Sequence, residues 1–394
     1  MVIRTCFLQL FLGICLFSCE KQKRPIIIEV NPVFEVGQPD PTNDKPQSKI
    51  WYSKAAWWAL LPDKKGPSLW KRTSNEWTSE PVLSEEFLGQ PGKADVYANK
   101  GIAMAVLVEN CQIKVLKLRS NNKSVYKQED VITLKTPKSC LSIETATITC
   151  DTNGVWWVAS DMNNQVLVWS SIDDGKTWSS PIVLAENISD DDICIVSKLK
   201  NTVSVIWSNQ NNESIVERIH HNDKDLSSWS SEISISNGEK TADDHLNTTV
   251  LSDNTLVLVS KNSLDQLDRP QFVLRIRRPS GEWLNIPYCN LTKTESPTRP
   301  VVTHLPNGKL VTLHTVASPN HSSYISISTI NVDGNKSKVT EKFRVIAKNR
   351  IEMNNVTVSK SDFYNCTQGP WIVLFSNKLG QVFEIDLYRY KDLL

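Results

Sequence analysis

The chain has 394 residues, with 44 Lys and Arg against 43 Asp and Glu, for a formal net charge of +1. A balance this even creates no field for gripping nucleic acid or an acidic lipid surface, so no nucleic-acid partner is expected. Hydrophobic residues make up 40% of the chain, enough for a large core and too many for a disordered polyelectrolyte.

The chain opens with a positive residue, Arg4, followed by an apolar run from Cys6 to Phe17 and then a polar stretch, Glu20 to Arg24. The run is shorter than the roughly 20 residues a bilayer core requires, so it reads as a signal peptide rather than a membrane span. Leu16-Phe17-Ser18-Cys19 resembles the bacterial lipobox. That resemblance implies that residues 1–18 are removed, that Cys19 is lipidated, and that the protein is exported and anchored to the cell envelope, at the outer membrane or cell surface. An ordinary secretory signal with an incidental Cys19 is the plainer alternative. Residues 19–46 then form a tether, and either Pro25-IIIEV or Val33-FEV within it can supply a strand to the body, residues 47–394.

From Lys49 onward one unit recurs. A turn residue precedes a short apolar run, as in Gly154-VWWVAS, Asn201-TVSVIWS, Asn254-TLVLVSK and Gly308-KLVTLHT. A second, alternating run follows, as in Gln165-VLVWSS and Gln271-FVLRIR, with the period of 2 expected of half-buried strands. An aromatic then opens a further element: Trp77, Tyr126, Trp178, Trp229, Trp283 and Phe343, spaced about 50 to 60 residues apart. This is the pattern of four-stranded propeller blades. The fold class predicted is all-β, a single β-propeller of seven four-stranded blades, with inner strands beginning near Lys49, Ala94, Thr145, Asp192, Asp244, Arg299 and Asn355. Six or eight blades would follow if one unit is split or merged. The last unit stops short of its fourth strand, so the N-terminal segment is expected to close the ring, because an open edge leaves backbone groups unpaired.

Within the third unit, Ser171-Ile-Asp173-Asp-Gly175-Lys-Thr177-Trp178 fits Ser-x-Asp-x-Gly-x-Thr-Trp at every fixed position. Here the chain resembles the Asp-box, or BNR-repeat, propellers that include sialidases. The resemblance implies a structural role for Ser171, Asp173, Gly175, Thr177 and Trp178 at the blade periphery. A broader likeness to uncharacterised bacterial BNR-type propellers, carried by strings such as Lys93-Ala-Asp95-Val and Ala242-Asp-Asp-His245, brings no reaction with it. A sialidase also needs an arginine triad and an Arg-Ile-Pro string. The only early Arg-Pro is Arg24-Pro25, in the tether, so sialidase activity is not expected.

Propellers bind ligands where their inner strands converge, so the strand starts are the informative positions. Asp95, Asp244, His245 and Arg299 are the candidates for chemistry, as acid, base and anion clamp. Lys49, Lys93, Asp192, Asp243 and Lys261 are candidate ligand contacts, and Trp51 a candidate sugar platform. The expected partner is a glycan, bound with or without turnover. A glycoside hydrolase, a polysaccharide lyase and a non-catalytic protein scaffold remain open, as does the oligomeric state. The competing structural reading makes Asp244 a turn cap and His245 a donor to a carbonyl. His220 and His221 read as solvated surface. Cys111, Cys140, Cys150, Cys194, Cys289 and Cys366 include no closely spaced pair, so no metal or other cofactor is expected. Cys140–Cys150 is the first disulfide to test.

Overall fold

The computed structural model describes residues 24–394 apart from 44, 46, 81–92, 110, 121–125, 138–139, 142, 319–320, 334–335 and 362–365. Cys19 and the signal segment lie outside the described residues. Seven sheets, antiparallel apart from one added edge strand, form the blades of one propeller, and each inner strand leads outward through its own blade. The inner strands are Ile50–Ser53, Lys93–Asn99, Ala146–Cys150, Cys194–Lys198, Leu246–Val250, Ser296–His304 and Asn354–Thr357. These define blades 1 to 7. Each begins within a few residues of the position expected from the repeat.

Ring closure uses both N-terminal segments. Pro32–Glu35 is the fourth strand of blade 7, antiparallel to Gln381–Asp386 with Glu35 opposite Gln381. Ile26–Val30 runs parallel to Lys336–Ala347 as a fifth strand on blade 6. The C-terminal unit therefore has no open edge where its fourth strand would be missing, and blade 6 gains an extra one.

The second and third strands are buried almost end to end rather than on alternate faces. Trp156–Met162 is buried throughout, as is Gln165–Ser171 after its first residue. Neighbouring blades cover both faces of the middle strands, so the alternation in sequence does not translate into a wet side. Outer strands keep the alternation loosely, as Tyr126–Thr133 shows. Aromatic residues fill the gaps between blades. Trp51 stacks on Trp58 at 6.4 Å, and both meet the edge of Tyr126 from blade 2. Such pairs add about 0.5–1.5 kcal/mol beyond the area they bury.

Two expectations are corrected. The disulfide joins Cys111 to Cys140, with Cα atoms 5.7 Å apart. Cys150 is a free thiol in the core at the end of an inner strand, where the Asn99 amide donates to its sulfur at 3.1 Å. His220 is not solvated. It is packed against Trp157 and Trp229, with Nδ1 2.9 Å from the Ser228 carbonyl.

Ser171–Trp178 forms the turn between the third and fourth strands of blade 3. Asp173 Oδ1 accepts from the Ser171 hydroxyl at 2.8 Å and from the Thr177 amide at 2.9 Å, while Oδ2 accepts from the Thr177 hydroxyl at 2.6 Å. The Thr177 donors, first the hydroxyl and then the amide, hold the Asp173 carboxyl down at about 2. Gly175 has φ +79°, a conformation a residue with a Cβ enters only under strain, and a Cβ there would also displace the flexible tip of Met104 from blade 2.

Candidate functional site at the channel mouth

The tether does not simply connect. After closing blade 7 it bends over that blade, where the Asp40 amide donates to the Asn377 carbonyl at 2.9 Å and the Thr42 and Ser376 hydroxyls meet at 2.6 Å. It then enters the channel. Gln47 reaches the Ala146 carbonyl of blade 3 at 3.3 Å, and the Ser48 hydroxyl reaches the Val358 carbonyl of blade 7 at 2.6 Å. Residues 37–43, 45 and 47–49 thus form a strap across the face where the inner strands begin.

Below the strap the channel is sealed by charge. Asp95 is fully buried and accepts from the Ser48 amide at 2.7 Å, the Ile148 amide at 2.7 Å and the Lys360 ammonium. Lys49, also fully buried, donates to Gln47 Oε1 at 2.6 Å and to the Ala94 carbonyl at 2.5 Å. Both residues were expected at the mouth, yet they lie deeper, as cross-braces among blades 1, 2, 3 and 7. At the opposite end the channel widens into a cavity of about 190 Å³ lined by Tyr97, Thr149, Lys198 and Lys360 among others.

At the mouth the strap delivers Lys45 into a nest of carboxylates. Its ammonium pairs with Asp244 and lies 3.6 Å from Glu144. Burial pushes the Lys45 pKa down, with Glu144 and Asp191 opposing it. His245 is 9% exposed, and its Nδ1 lies 2.6 Å from Asp243 and 2.5 Å from Asp244. Lys261 caps the arrangement from the second strand of blade 5, 2.7 Å from Asp243. Burial drives Asp243 upward, but His245 and Lys261 outweigh it and hold the carboxyl below its ordinary value. Burial drives His245 down to about 4 despite Asp243, so the imidazole is neutral near pH 7.

That protonation state fixes the chemistry. A neutral imidazole carries one proton, and a carboxylate facing Nδ1 holds it there, leaving Nε2 as a free acceptor. The His245 Nε2 is buried and has no partner, as is the Nε of Arg299. His245 and Arg299 line one small cavity of about 30 Å³ together with Lys45, Thr42 and Gln47. Arg299 adopts φ +54° where blade 6's inner strand bulges between Thr298 and Val301. A non-glycine residue in this region is strained, a condition that clusters at functional sites.

Asp244, His245 and Arg299, with Asp243 and Lys261, are thus gathered at one mouth. Asp192 is not among them. It is buried beneath the mouth, accepting from the Ser189 amide at 2.7 Å and the Gln210 amide at 3.1 Å, and so braces a loop. Lys93 is exposed at the start of blade 2 and does not line the cavity. Trp51 is fully buried between blades 1 and 2 and offers no ring to a sugar. The cavity is lined by one arginine, so no triad is assembled in it. Two donor sets come within 4.8 Å of one another and have the composition to hold a divalent ion: Asp243, Asp244 and His245, and Glu144, Asp191 and Asp244. Sequence reasoning missed Lys45, whose setting between two prolines reads as plain linker. It also missed Asp161, which holds the start of blade 3 through the Glu144 and Thr145 amides at 2.7 and 3.0 Å.

No family model matches the chain, and no curated protein matches it. Solved structures do. A polysaccharide lyase of the PL25 family, an ulvan lyase bound to -[GlcA(1-4)Rha3S]-, matches with TM-score 0.55 at 11% identity, over 93% of this chain and 100% of its own. An AofleA mutant from Arthrobotrys oligospora matches with TM-score 0.50 at 9% identity, over 82% and 99%. Trypanosoma rangeli sialidase in complex with sialic acid matches with TM-score 0.48 at 12% identity, over 80% of this chain and 58% of that one. The chain folds as a seven-bladed propeller, and a polysaccharide lyase is among its structural neighbours.

Proposed function

We propose that this protein is an exported, lipid-anchored propeller that binds a glycan at the strap-covered mouth of its channel. One observation carries the reading: His245 Nε2 and Arg299 Nε are buried polar atoms without partners, on two residues that line one cavity. A buried polar group left unpaired costs about 1–3 kcal/mol, so two at one place reserve hydrogen-bonding capacity for something that arrives. The cavity as it stands holds no sugar, so binding requires the strap to lift and Lys45 to leave Asp244. The Asp-box resemblance and the glycan-active neighbours support the same substrate class. Lipidation of Cys19 rests on the lipobox alone, and Cys19→Ala is expected to release the protein from the membrane fraction.

A second reading, uronate elimination, is favoured by the His245 tautomer. Neutral Nε2 accepts the proton next to a substrate carboxylate whose charge Arg299 neutralises. The electron pair left on carbon forms a C=C bond, the C–O bond to the leaving sugar breaks, and water protonates that oxygen. The ligand bound to the ulvan lyase contains a uronate, GlcA, consistent with this chemistry.

Glycan-array binding of wild type beside Asp244→Ala and Arg299→Ala tests both readings, with ultraviolet absorbance of unsaturated uronate followed for each hit. Saturable binding lost in the variants is the expected result, and absorbance growth selects elimination. Absence of any binding, or binding indifferent to both substitutions, would transfer the assignment to a protein-docking scaffold.

A further inference from the structure

A larger cavity than the one at the mouth lies away from it. Blade 6 has third and fourth strands of 13 and 12 residues, His321–Asp333 and Lys336–Ala347, while the outer strand of blade 5, Trp283–Asn290, has 8. The face of blade 6 outruns its neighbour, and a groove of about 570 Å³ opens between them. That size is in the range of about 300–1,000 Å³ common for small-ligand sites.

We propose that this groove is a second ligand site, separate from the mouth, which takes the hydroxyl groups of a neutral saccharide. Its polar lining is a built network. Glu295 accepts from the Tyr324 hydroxyl at 3.0 Å and from Arg344 Nη1 at 2.7 Å. Glu341 accepts from Arg344 Nη2 at 3.0 Å and from the Ser326 hydroxyl at 2.7 Å. The Arg344 guanidinium also lies 4.9 Å from the centre of the Tyr324 ring.

The charge count selects the ligand. Two carboxylates face one guanidinium, and Arg344 already donates to both of them through Nε, Nη1 and Nη2. An anion meets excess negative charge and an engaged arginine. A hydroxyl meets carboxylate lone pairs, which accept from neutral donors strongly.

A second, independent feature points the same way. His314 is 3% exposed and lines the groove. Its Nε2 lies 3.3 Å from Cys289 Sγ, and its Nδ1 is buried without a partner. Burial pushes the thiol up to about 12 and the imidazole down to about 3, so the pair is neutral near pH 7 and Cys289, with only a trace of thiolate, reacts slowly. Whichever of the two carries the shared proton, Nδ1 is left as either a donor or an acceptor. A hydroxyl serves both cases.

Saturation-transfer NMR of the intact protein with neutral methyl glycosides of glucose, galactose, mannose, xylose and rhamnose tests the site, with methyl glucuronoside as the anionic arm. At least one neutral glycoside is expected to saturate, with affinity lowered tenfold or more by Glu341→Gln and by Tyr324→Phe, and unchanged within twofold by Arg299→Ala. A wild-type measurement guards against variants that misfold: the bound glycoside is expected to slow modification of Cys289 by methyl methanethiosulfonate, located by peptide mass spectrometry. The proposal is overturned if no neutral glycoside saturates, if only the glucuronoside does, or if Cys289 reacts equally fast with and without a saturating glycoside. Binding abolished by Arg299→Ala but untouched by Glu341→Gln and Tyr324→Phe would overturn it while leaving the mouth reading intact.

Discussion

The channel interior and the channel mouth are made of the same residue types and behave as opposites. Inside, Asp95 meets Lys360 and two backbone amides, and Lys49 meets Gln47 and a carbonyl, with both residues wholly out of solvent. Four residues earlier in the strap than Lys49, Lys45 meets Asp244 and Glu144, and His245 meets Asp243 and Asp244, yet His245 Nε2 and Arg299 Nε are left over. A lysine–carboxylate pair therefore says nothing by itself about function. What separates brace from site is whether the hydrogen-bonding capacity closes on itself.

The largest effect should come from the interior. Lys360→Met strands Asp95 as a buried charge that keeps only its two amide donors. Removing one partner of such a pair costs about 3–5 kcal/mol, and chemical denaturation should show a loss of that order. Glycan binding by the fraction that remains folded should be unchanged. A loss below about 1 kcal/mol would break the claim that Asp95 and Lys360 are the channel's brace.

Lys45→Ala tests the mouth. The side chains of Lys45 and Asp244 are 18% and 14% exposed, so solvent shares in the compensation and a stability loss of about 1–3 kcal/mol is expected. Binding should move the other way, because the ammonium no longer competes for Asp244 and the strap is easier to lift. Tighter glycan binding at lower stability is the signature, read by calorimetry and thermal melting. Weaker binding would show that Lys45 contacts the ligand instead of excluding it.

Titration separates the regions by pH. His245 falls from 6.5 to about 4 on folding, and burial also drives His314 from 6.5 to about 3. A base with a lowered folded pKa stays neutral in the native state while the unfolded chain takes up protons. The stability linked to it is complete above about 6.5 and is lost as pH falls toward the folded value. Asp161 opposes this, since burial raises it from 3.8 to about 6 and its contribution favours the acid side of that window. His245→Asn should therefore flatten part of the acid decline between pH 6.5 and 4 in denaturation midpoints. An unchanged slope would remove His245 from the linked groups.

The repeat made the fold legible because every blade restates it. Turn glycines and asparagines, an apolar run and an aromatic mark each unit, and the inner strands start close to Lys49, Ala94, Thr145, Asp192, Asp244, Arg299 and Asn355. Val33-FEV was legible as a closing strand because the last unit lacked one. The site was legible only in part. Asp243-Asp244-His245 and Arg299 stand at strand starts, which converge by the symmetry of the ring. Lys45 could not be read, since its position depends on where a proline-bounded strap crosses the mouth between blade 7 and blades 3 and 5. Trp51 misled because a two-sided blade buries its tryptophans where a half-buried strand would present them. Cys140 turned back to Cys111 rather than forward to Cys150 because an inner strand places its last residue in the core.

The smallest stability effect and one of the clearest functional ones should coincide at Arg299. Its φ of +54° is a region that glycine enters freely and other residues enter under strain of about 1 kcal/mol or more. Arg299→Gly relieves that strain and removes a partly buried charge, while the added chain entropy of glycine takes back about 0.5–1 kcal/mol. The net change should stay within about 1 kcal/mol in either direction. Loss of a charged hydrogen-bond donor to the ligand should lower glycan affinity about 10- to 100-fold. A brace behaves in the reverse way, losing stability and sparing affinity, as expected for Lys360→Met. Should Arg299→Gly unfold the protein instead, the inner strand of blade 6 would owe its bulge to the arginine side chain. The mouth would then belong with the interior as structure.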